Sequence, residues 1–133
     1  MNRVPRRIPT LFIAAVVVLG AVGVGCAQTP PPAPTRLLVT TQLTVCGGVI
    51  PPPGQPWCRT STVRRDVEVR SGRDVVATGS TDASGRLLVV VPPGRATVAV
   101  TDANDYEQCD TVTVTAIENA TTPVVQTCTI FAP

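Results

Sequence analysis

Short runs in which apolar and polar residues alternate follow one another from residue 37 to about residue 130. In the clearest run, residues 62–70, Val63, Val67 and Val69 share one face and charged residues occupy the other. A period of two residues is typical of a β-strand with one buried face. Clusters of Gly, Pro, Asp and Ser separate the runs, and strands at this spacing predict an all-β, antiparallel sandwich. The predicted strands are 37–46, 62–70, 75–78, 87–91, 96–101, 111–116 and 124–130.

Two of these predictions concern how strands are placed. Residues 87–91 (LLVVV) are apolar at every position, which predicts a central strand covered on both faces, or one whose second face is held by the preceding linker. Residues 111–116 and 124–130 are expected to form a closing hairpin around Glu118 and Asn119.

Four cysteines lie within the strand-rich region, at Cys46, Cys58, Cys109 and Cys128. An even number of cysteines in an exported domain predicts two disulfide bonds, and four cysteines allow three pairings. A bridge between Cys46 and Cys58 would close the Pro/Gly-rich loop 47–59, with a stabilisation of about 3 kcal/mol in the chain-entropy model.

The expected closing hairpin favours a Cys109–Cys128 bridge. Placing these two cysteines opposite each other also places Ala116 opposite Thr121 across a four-residue turn. In that register, however, the cysteines lie on the face opposite the valines of 111–116, so the bridge faces outward or a bulge intervenes.

Three turn motifs in a fixed order suggest a family. They are G-x-x-V at 72–75, T-D-x-x-G at 81–85 and P-P-G at 92–94, each between predicted strands. This order resembles the carboxypeptidase regulatory-like domain, a transthyretin/prealbumin-type sandwich, and the resemblance implies a seven-stranded Greek-key fold. A first-strand loop with a cysteine at each end also recurs in lipoprotein members of that family. The sequence departs from the family at Ala96, where an aromatic is expected, so the core is thinner there or Trp57 fills it.

The first 25 residues are typical of a bacterial signal peptide, because three arginines precede the apolar run 11–24. The residues Gly-Val-Gly ahead of Cys26 resemble a lipobox, although Leu is usual at the first position. This predicts lipid attachment, including palmitate, at Cys26 and a protein held at the outer face of the cell membrane. Cleavage after Ala27, giving a secreted protein, and an uncleaved membrane anchor are the alternatives.

The remaining chain divides into a Pro-rich linker at 26–36 and one β-sandwich domain at 37–133. Eight of the eleven arginines remain after the signal peptide and face nine acidic residues, so the net charge is about −1. No basic stripe remains, and nucleic-acid binding is not expected. The abundance of Ala, Val, Pro and Arg, with no Lys, is typical of a high-GC bacterium such as an actinobacterium.

The absence of histidine removes the usual base of a nucleophilic enzyme and a common metal ligand. We therefore expect no catalytic residues and no enzyme activity. Trp57, with Gln55, is the candidate ligand-binding group, because a tryptophan on a bridged loop suits a sugar or a protein contact. The alternative is that Trp57 caps the open end of the sandwich.

A cluster of oxygen ligands offers one candidate metal site. Asp102, Asn104, Asp105 and Glu107 have the ligand chemistry that Ca²⁺ prefers, while a solvated turn accounts for the same residues. No other cofactor is expected. The sequence thus predicts a non-catalytic envelope lipoprotein that binds a protein or polysaccharide outside the membrane. The alternatives are a purely structural accessory domain and a Ca²⁺-dependent adhesin.

Overall fold

The computed structural model describes Gly25 and residues 29–133, and this part of the chain contains nine β-strands and no helix. The strands are β1 (Arg36–Gly47), β2 (Cys58–Thr62), β3 (Asp66–Ser71), β4 (Asp74–Ser80), β5 (Arg86–Val90), β6 (Gly94–Val100), β7 (Glu107–Cys109), β8 (Val112–Ala116) and β9 (Thr121–Ala132). Two sheets enclose one apolar core, which confirms the predicted all-β sandwich. The strands number nine rather than seven, because β2 and β7 are short edge strands without apolar alternation.

The first sheet is built around β1. Its order is β2-β1-β9-β7, and β5 also pairs with β1, beside β2 on the same edge. β1 and β9 run parallel, in register from Arg36 opposite Thr121 to Gly47 opposite Ala132. The second sheet has the order β4-β3-β6-β8, and all its pairs are antiparallel. The sandwich is therefore antiparallel apart from the pair formed by its first and last strands.

Valine dominates the core, in keeping with the preference of β-branched side chains for strands. The buried cluster consists of Leu37, Val39, Val67, Val69, Val91, Ala96, Val98, Ala116 and Val124. Each fully buried Val or Leu contributes about 1.5–3 kcal/mol relative to an exposed one. Ala96 belongs to this cluster, whereas Trp57 is 48% exposed and lies outside it. Trp57 thus does not fill the space beside Ala96.

The predicted strand 62–70 is interrupted. Its first residue ends β2 in one sheet, and its second half is β3 in the other, so the chain changes sheets at 63–65. The reason lies at Arg65, an inward position by alternation, whose guanidinium pairs with the Glu107 carboxylate at 2.7 Å. A strand continuing through that position would have to bury the charge in the valine core.

The expectation for residues 87–91 is wrong. β5 pairs only with β1 and is an edge strand. Leu87 and Val89 pack on the core, while Leu88 and Val90 are 50% and 61% exposed on the outer face. The run is apolar on both faces although only one face is covered. Its composition alone does not distinguish an edge strand from a central strand covered on both faces.

The closing hairpin is also wrong, although the cysteine pairing is confirmed. β8 pairs with β6 in the second sheet, with Ala116 opposite Gly94, while β9 belongs to the first sheet. The expected register exists between β7 and β9, where Cys109 lies opposite Cys128. The chain then crosses between sheets at 110–111, so Cys109 and the valines of β8 belong to different strands. The cysteines and these valines therefore need not point to opposite faces of one strand, as the single-hairpin register required.

The T-D-x-x-G motif forms the tight turn between β4 and β5. The Asp82 carboxylate accepts hydrogen bonds from the Ser84 hydroxyl (2.6 Å), the Ser84 backbone N–H (2.8 Å) and the Arg86 backbone N–H (3.0 Å). These bonds, chiefly that from the Ser84 hydroxyl and then that from Arg86, lower the pKa of Asp82. Gly85 has φ +75°, and a Cβ there would lie 2.7 Å from the Thr41 carbonyl oxygen. The motif therefore has a structural role.

Candidate binding loop and groove

The loop at residues 48–57 joins β1 to β2 and is closed at its base by a disulfide. Cys46 and Cys58 are directly opposite each other in the two strands, and their sulfurs are bonded. The hydroxyls of Thr44 and Thr60 form a 2.8 Å hydrogen bond in the adjacent row of the same face. Within the loop, the Gln55 N–H donates to the Pro52 carbonyl (3.1 Å). The loop thus leaves the sheet from a covalently fixed base, as the cysteine spacing predicts.

A glycine is required where the loop leaves β1. Gly47 has φ +103°, and a Cβ at this position would lie 2.2 Å from the Ala132 carbonyl oxygen at the end of β9. Any other residue would be strained by its backbone and would collide with the neighbouring strand. This glycine brings the loop close beside the end of β9.

The loop presents large apolar side chains to solvent. Val49 is 95% exposed and Ile50 is 79% exposed, while Trp57 is half-exposed. Val49 and Trp57, together with residues at the ends of β1 and β2, border a groove of about 220 Å³, whereas Ile50 does not line it. The residues lining this groove, which we call the loop groove, are Val45, Gly47, Val49, Pro51, Pro56, Trp57 and Arg59.

Of the two predicted ligand-binding residues, one lines the loop groove and the other does not. Trp57 lines the loop groove, whereas Gln55 is exposed on the same loop but does not line it. The sequence interpretation missed Val45 and Arg59, which the β1–β2 pairing brings opposite each other. It also missed Val49, although an apolar Val-Ile pair in a Pro/Gly-rich loop was a usable signal.

The predicted calcium ligands are only partly brought together. Asp102 and Asp105 are exposed, and the Asn104 side-chain oxygen accepts a hydrogen bond from the Tyr106 N–H (3.2 Å). The Asn104 amide donates to the Glu107 carboxylate (3.1 Å). That carboxylate points inward, with its side chain 3% exposed, and pairs with Arg65. Its charge is therefore already compensated within the protein.

In the described part of the chain, the acidic and cysteine side chains close enough to share a metal are Glu107, Cys109 and Cys128. The two sulfurs are bonded to each other, in agreement with the predicted second bridge. A disulfide offers no thiolate, so this cluster is a structural crosslink. Calcium binding by the 102–110 loop stays a prediction.

A polar cluster lies between the sheets beside this crosslink. The buried Thr41 and Thr81 hydroxyls are 2.9 Å apart, and Thr81 Oγ1 accepts a hydrogen bond from the Arg65 N–H (2.8 Å). Gln126 is fully buried opposite Thr41, and neither atom of its amide has a partner among the described residues. Arg65 Nε and Glu107 Oε2 are in the same situation. The four atoms without a partner are thus two donors, on Arg65 and Gln126, and two acceptors, on Glu107 and Gln126. These side chains face the interior of the domain.

Two serines of the described residues donate their hydroxyl to a carboxylate at the surface, and one of them is Ser84, hydrogen-bonded to Asp82 in the β4–β5 turn. The Ser80 hydroxyl donates to the Asp66 carboxylate beside a shallow depression of about 390 Å³ between β3 and β4. Without histidine in the sequence, neither serine has an imidazole base to activate it.

The predicted lipidation site lies outside the described residues. Cys26 and the signal peptide, apart from Gly25, are not among them. In residues 29–133 there is no helix of the length and hydrophobicity that a bilayer crossing requires.

Comparison with known proteins leaves the family open. No family model and no curated protein matches this chain. Among solved structures, the fold is similar to that of a double mutant of the shaft pilin SpaA from Lactobacillus rhamnosus GG, with a TM-score of 0.52 and 12% sequence identity. The match covers 75% of this chain and 52% of the pilin, so the chain spans about half the pilin's length. At this identity the likeness concerns the fold, which it supports as a β-sandwich.

Proposed function

We propose that this chain is an exported, non-catalytic module of the carboxypeptidase regulatory-like type that binds a protein segment in its loop groove outside the cell membrane. The observation that carries this proposal is the disulfide-held loop, which keeps Val49, Ile50 and Trp57 in solvent. Exposed apolar side chains that cluster, rather than occur singly, mark interaction sites. The bridge limits the conformations of the loop before binding, and such preorganisation raises affinity by reducing the entropy lost on association.

The lining of the groove favours a protein over a polysaccharide. Its side chains are aliphatic, proline and tryptophan, and Arg59 is the charged member. Amide side chains, which can donate to and accept from sugar hydroxyls, and carboxylates, which can accept from them, are not among the residues that line this groove. An extended segment with apolar side chains and one acidic residue fits the lining best. Tryptophan and arginine are also the residue types enriched at binding hot spots.

The proposed location rests on the disulfides and on the N-terminal sequence. Two disulfides persist in an oxidising compartment and are rare in the cytosol. The signal-like first 25 residues and the lipobox-like residues before Cys26 support lipid attachment there. A lipid at Cys26, followed by the Pro-rich linker, would hold the domain at the outer face of the membrane.

Trp57 provides the test, because it is the single tryptophan of the sequence. Its emission is measured on the exported protein during titration with an array of twelve-residue peptides rich in apolar residues and carrying one Asp or Glu. We expect a blue shift with the best peptides and a loss of binding of at least tenfold in Val49→Ala, which removes an exposed side chain from the groove lining. The matched control Val90→Ala makes the same Val-to-Ala change at a position of β5 that is 61% exposed and outside the groove, and it is expected to bind normally.

Three other results would contradict the proposal. A shift with purified cell-wall polysaccharide, and none with peptides, would make the groove a glycan site. Ca²⁺-dependent melting without any peptide response would favour the adhesin alternative. Silence towards all three probes would favour a structural accessory domain.

A further inference from the structure

The first strand is held along its whole length. On one side it pairs with β9 over residues 36–47. On the other side residues 36–40 pair with β5 and residues 42–46 with β2. Between those two, Thr41 donates its N–H to the Gly85 carbonyl (2.7 Å) and accepts from the Val63 N–H (3.1 Å). β1 is therefore an extended strand with neighbours on both edges.

The loop groove is connected to this strand by a short covalent route. Trp57 directly precedes Cys58, and the disulfide joins Cys58 to Cys46 near the C-terminal end of β1. The opposite end of β1, at Arg36, continues into the linker. The shortest chain of bonds from Trp57 to the linker therefore runs through one disulfide and then along β1.

From this connectivity we infer a second function: β1 transmits tensile force from a partner held in the loop groove to the N-terminal linker, without unfolding the domain. The inference rests on the proposed function, which supplies the partner at one end and the anchor at the other. It adds that the domain is a mechanical link as well as a binding module.

The physical reason is that β1 is already almost fully extended, so pulling on its ends can lengthen it very little. A strand rises about 3.3–3.4 Å per residue, and a fully extended chain reaches at most about 3.6 Å. The twelve residues of β1 can thus lengthen by only about 3 Å in total. Force along β1 is therefore borne by its covalent bonds. Because β1 hardly lengthens, its hydrogen bonds to the neighbouring strands are not pulled apart.

Force between the two ends of the domain acts differently. The linker continues from the start of β1, and Ala132 ends β9, so pulling on both ends slides two parallel strands past each other. Neither disulfide joins β1 to β9, because each links another pair of strands. Once these paired residues separate, the domain unravels, except for the 12- and 19-residue spans that the bridges close.

Optical tweezers can compare these two directions on the exported protein. One handle is a peptide tag inserted in the linker at residues 29–35. The second is either an azide-bearing amino acid at Gln55, which is exposed and outside the groove lining, or a tag after Pro133. With the handle at Gln55 we expect no step longer than about 20 Å, at forces where the linker-to-C-terminus direction gives a full unfolding step.

A full unfolding step in both directions at the same force would overturn the inference, because the force would then have left β1. In Cys46→Ser/Cys58→Ser the route from Gln55 must follow residues 47–54, so we expect a tether longer by about 15 Å and still no unfolding step. Should that variant fail to fold, the comparison of the two directions in the unaltered protein still decides. The handles are covalent, so failure of this test is distinguishable from failure to bind a peptide.

Discussion

The Cys109–Cys128 bridge holds a strand that has little else to keep it in place. β7 has three residues and pairs only with β9. The bridge also fixes the position of Glu107, whose carboxylate pairs with Arg65. Replacing both cysteines by alanine tests how much of the domain's stability depends on this crosslink, and alanine avoids placing a hydroxyl at the buried Cys128 position.

The size of the effect follows from the span that the bridge closes. The two cysteines are 19 residues apart, and a loop of this length corresponds to about 3 kcal/mol of chain entropy in the unfolded state. For a domain of about 100 residues, 1 kcal/mol shifts Tm by roughly 4–8 °C. We therefore expect Cys109→Ala/Cys128→Ala to lower Tm by about 12–24 °C, measured by circular dichroism.

A second substitution, at Glu107, shows whether the lost stability comes from β7, because Glu107 and Cys109 both belong to that strand. In the bridged protein, Glu107→Gln leaves the Arg65 guanidinium in a largely buried place without its carboxylate, at a cost of about 3–5 kcal/mol. Without the bridge β7 is free to detach, so Arg65 reaches water and the same substitution costs less than about 1 kcal/mol. Urea denaturation of the four variants gives the coupling free energy directly.

The matched control is Cys46→Ala/Cys58→Ala. It removes a bridge whose cysteines are 12 residues apart and whose chain-entropy value is also about 3 kcal/mol, but it does not hold β7. We expect no coupling between this pair and Glu107. Additive effects of Glu107→Gln and the Cys109/Cys128 replacement, or a fall in Tm below about 4 °C, would refute this reasoning.

Two further predictions concern the turn between β4 and β5. Gly85→Ala should destabilise the domain by more than about 2 kcal/mol, since it combines a left-handed backbone with a Cβ 2.7 Å from the Thr41 carbonyl oxygen. Gly72→Ala, with φ +61° and open space around it, should cost only about 1 kcal/mol in the same urea assay; equal losses would contradict the clash. The lowered pKa of Asp82 stabilises the fold above its unfolded value of 3.8, and this contribution is lost as pH falls through the folded pKa. Asp82→Asn should therefore reduce stability at pH 7 and flatten the fall in Tm below about pH 4; an acid profile identical to that of the unaltered protein would show that the turn bonds do not act through this carboxylate.

Local patterns predicted local structure well. The alternation at Val67 and Val69 correctly identified a strand with one buried face, because side chains on a strand point to opposite sides in turn. The T-D-x-x-G and P-P-G clusters correctly marked boundaries between strands, the first between β4 and β5 and the second between β5 and β6. The bridge between Cys46 and Cys58 was also predictable, since a short loop brings its own ends together.

Predictions about strand partners were less successful. The register that placed Cys109 opposite Cys128 was correct, yet the hairpin that suggested it does not exist. Main-chain hydrogen bonds between strands are nearly independent of side-chain identity, so a sequence that specifies a strand does not specify its neighbour. The inward position of Arg65 was visible in the alternation, but its partner Glu107 lies 42 residues away and belongs to another strand.

The sequence by itself determined that the chain forms a Val-rich β-sandwich with two disulfides and an exposed, proline-rich loop, because composition, periodicity and spacing are properties of short segments. Tertiary structure alone decided that the first and last strands lie parallel, and that β8 and β9 belong to different sheets. It also decided that Val45 and Arg59 join Trp57 in one groove. These features depend on which distant segments pack together, and the folding chain settles that by burying the apolar faces of all nine strands at once.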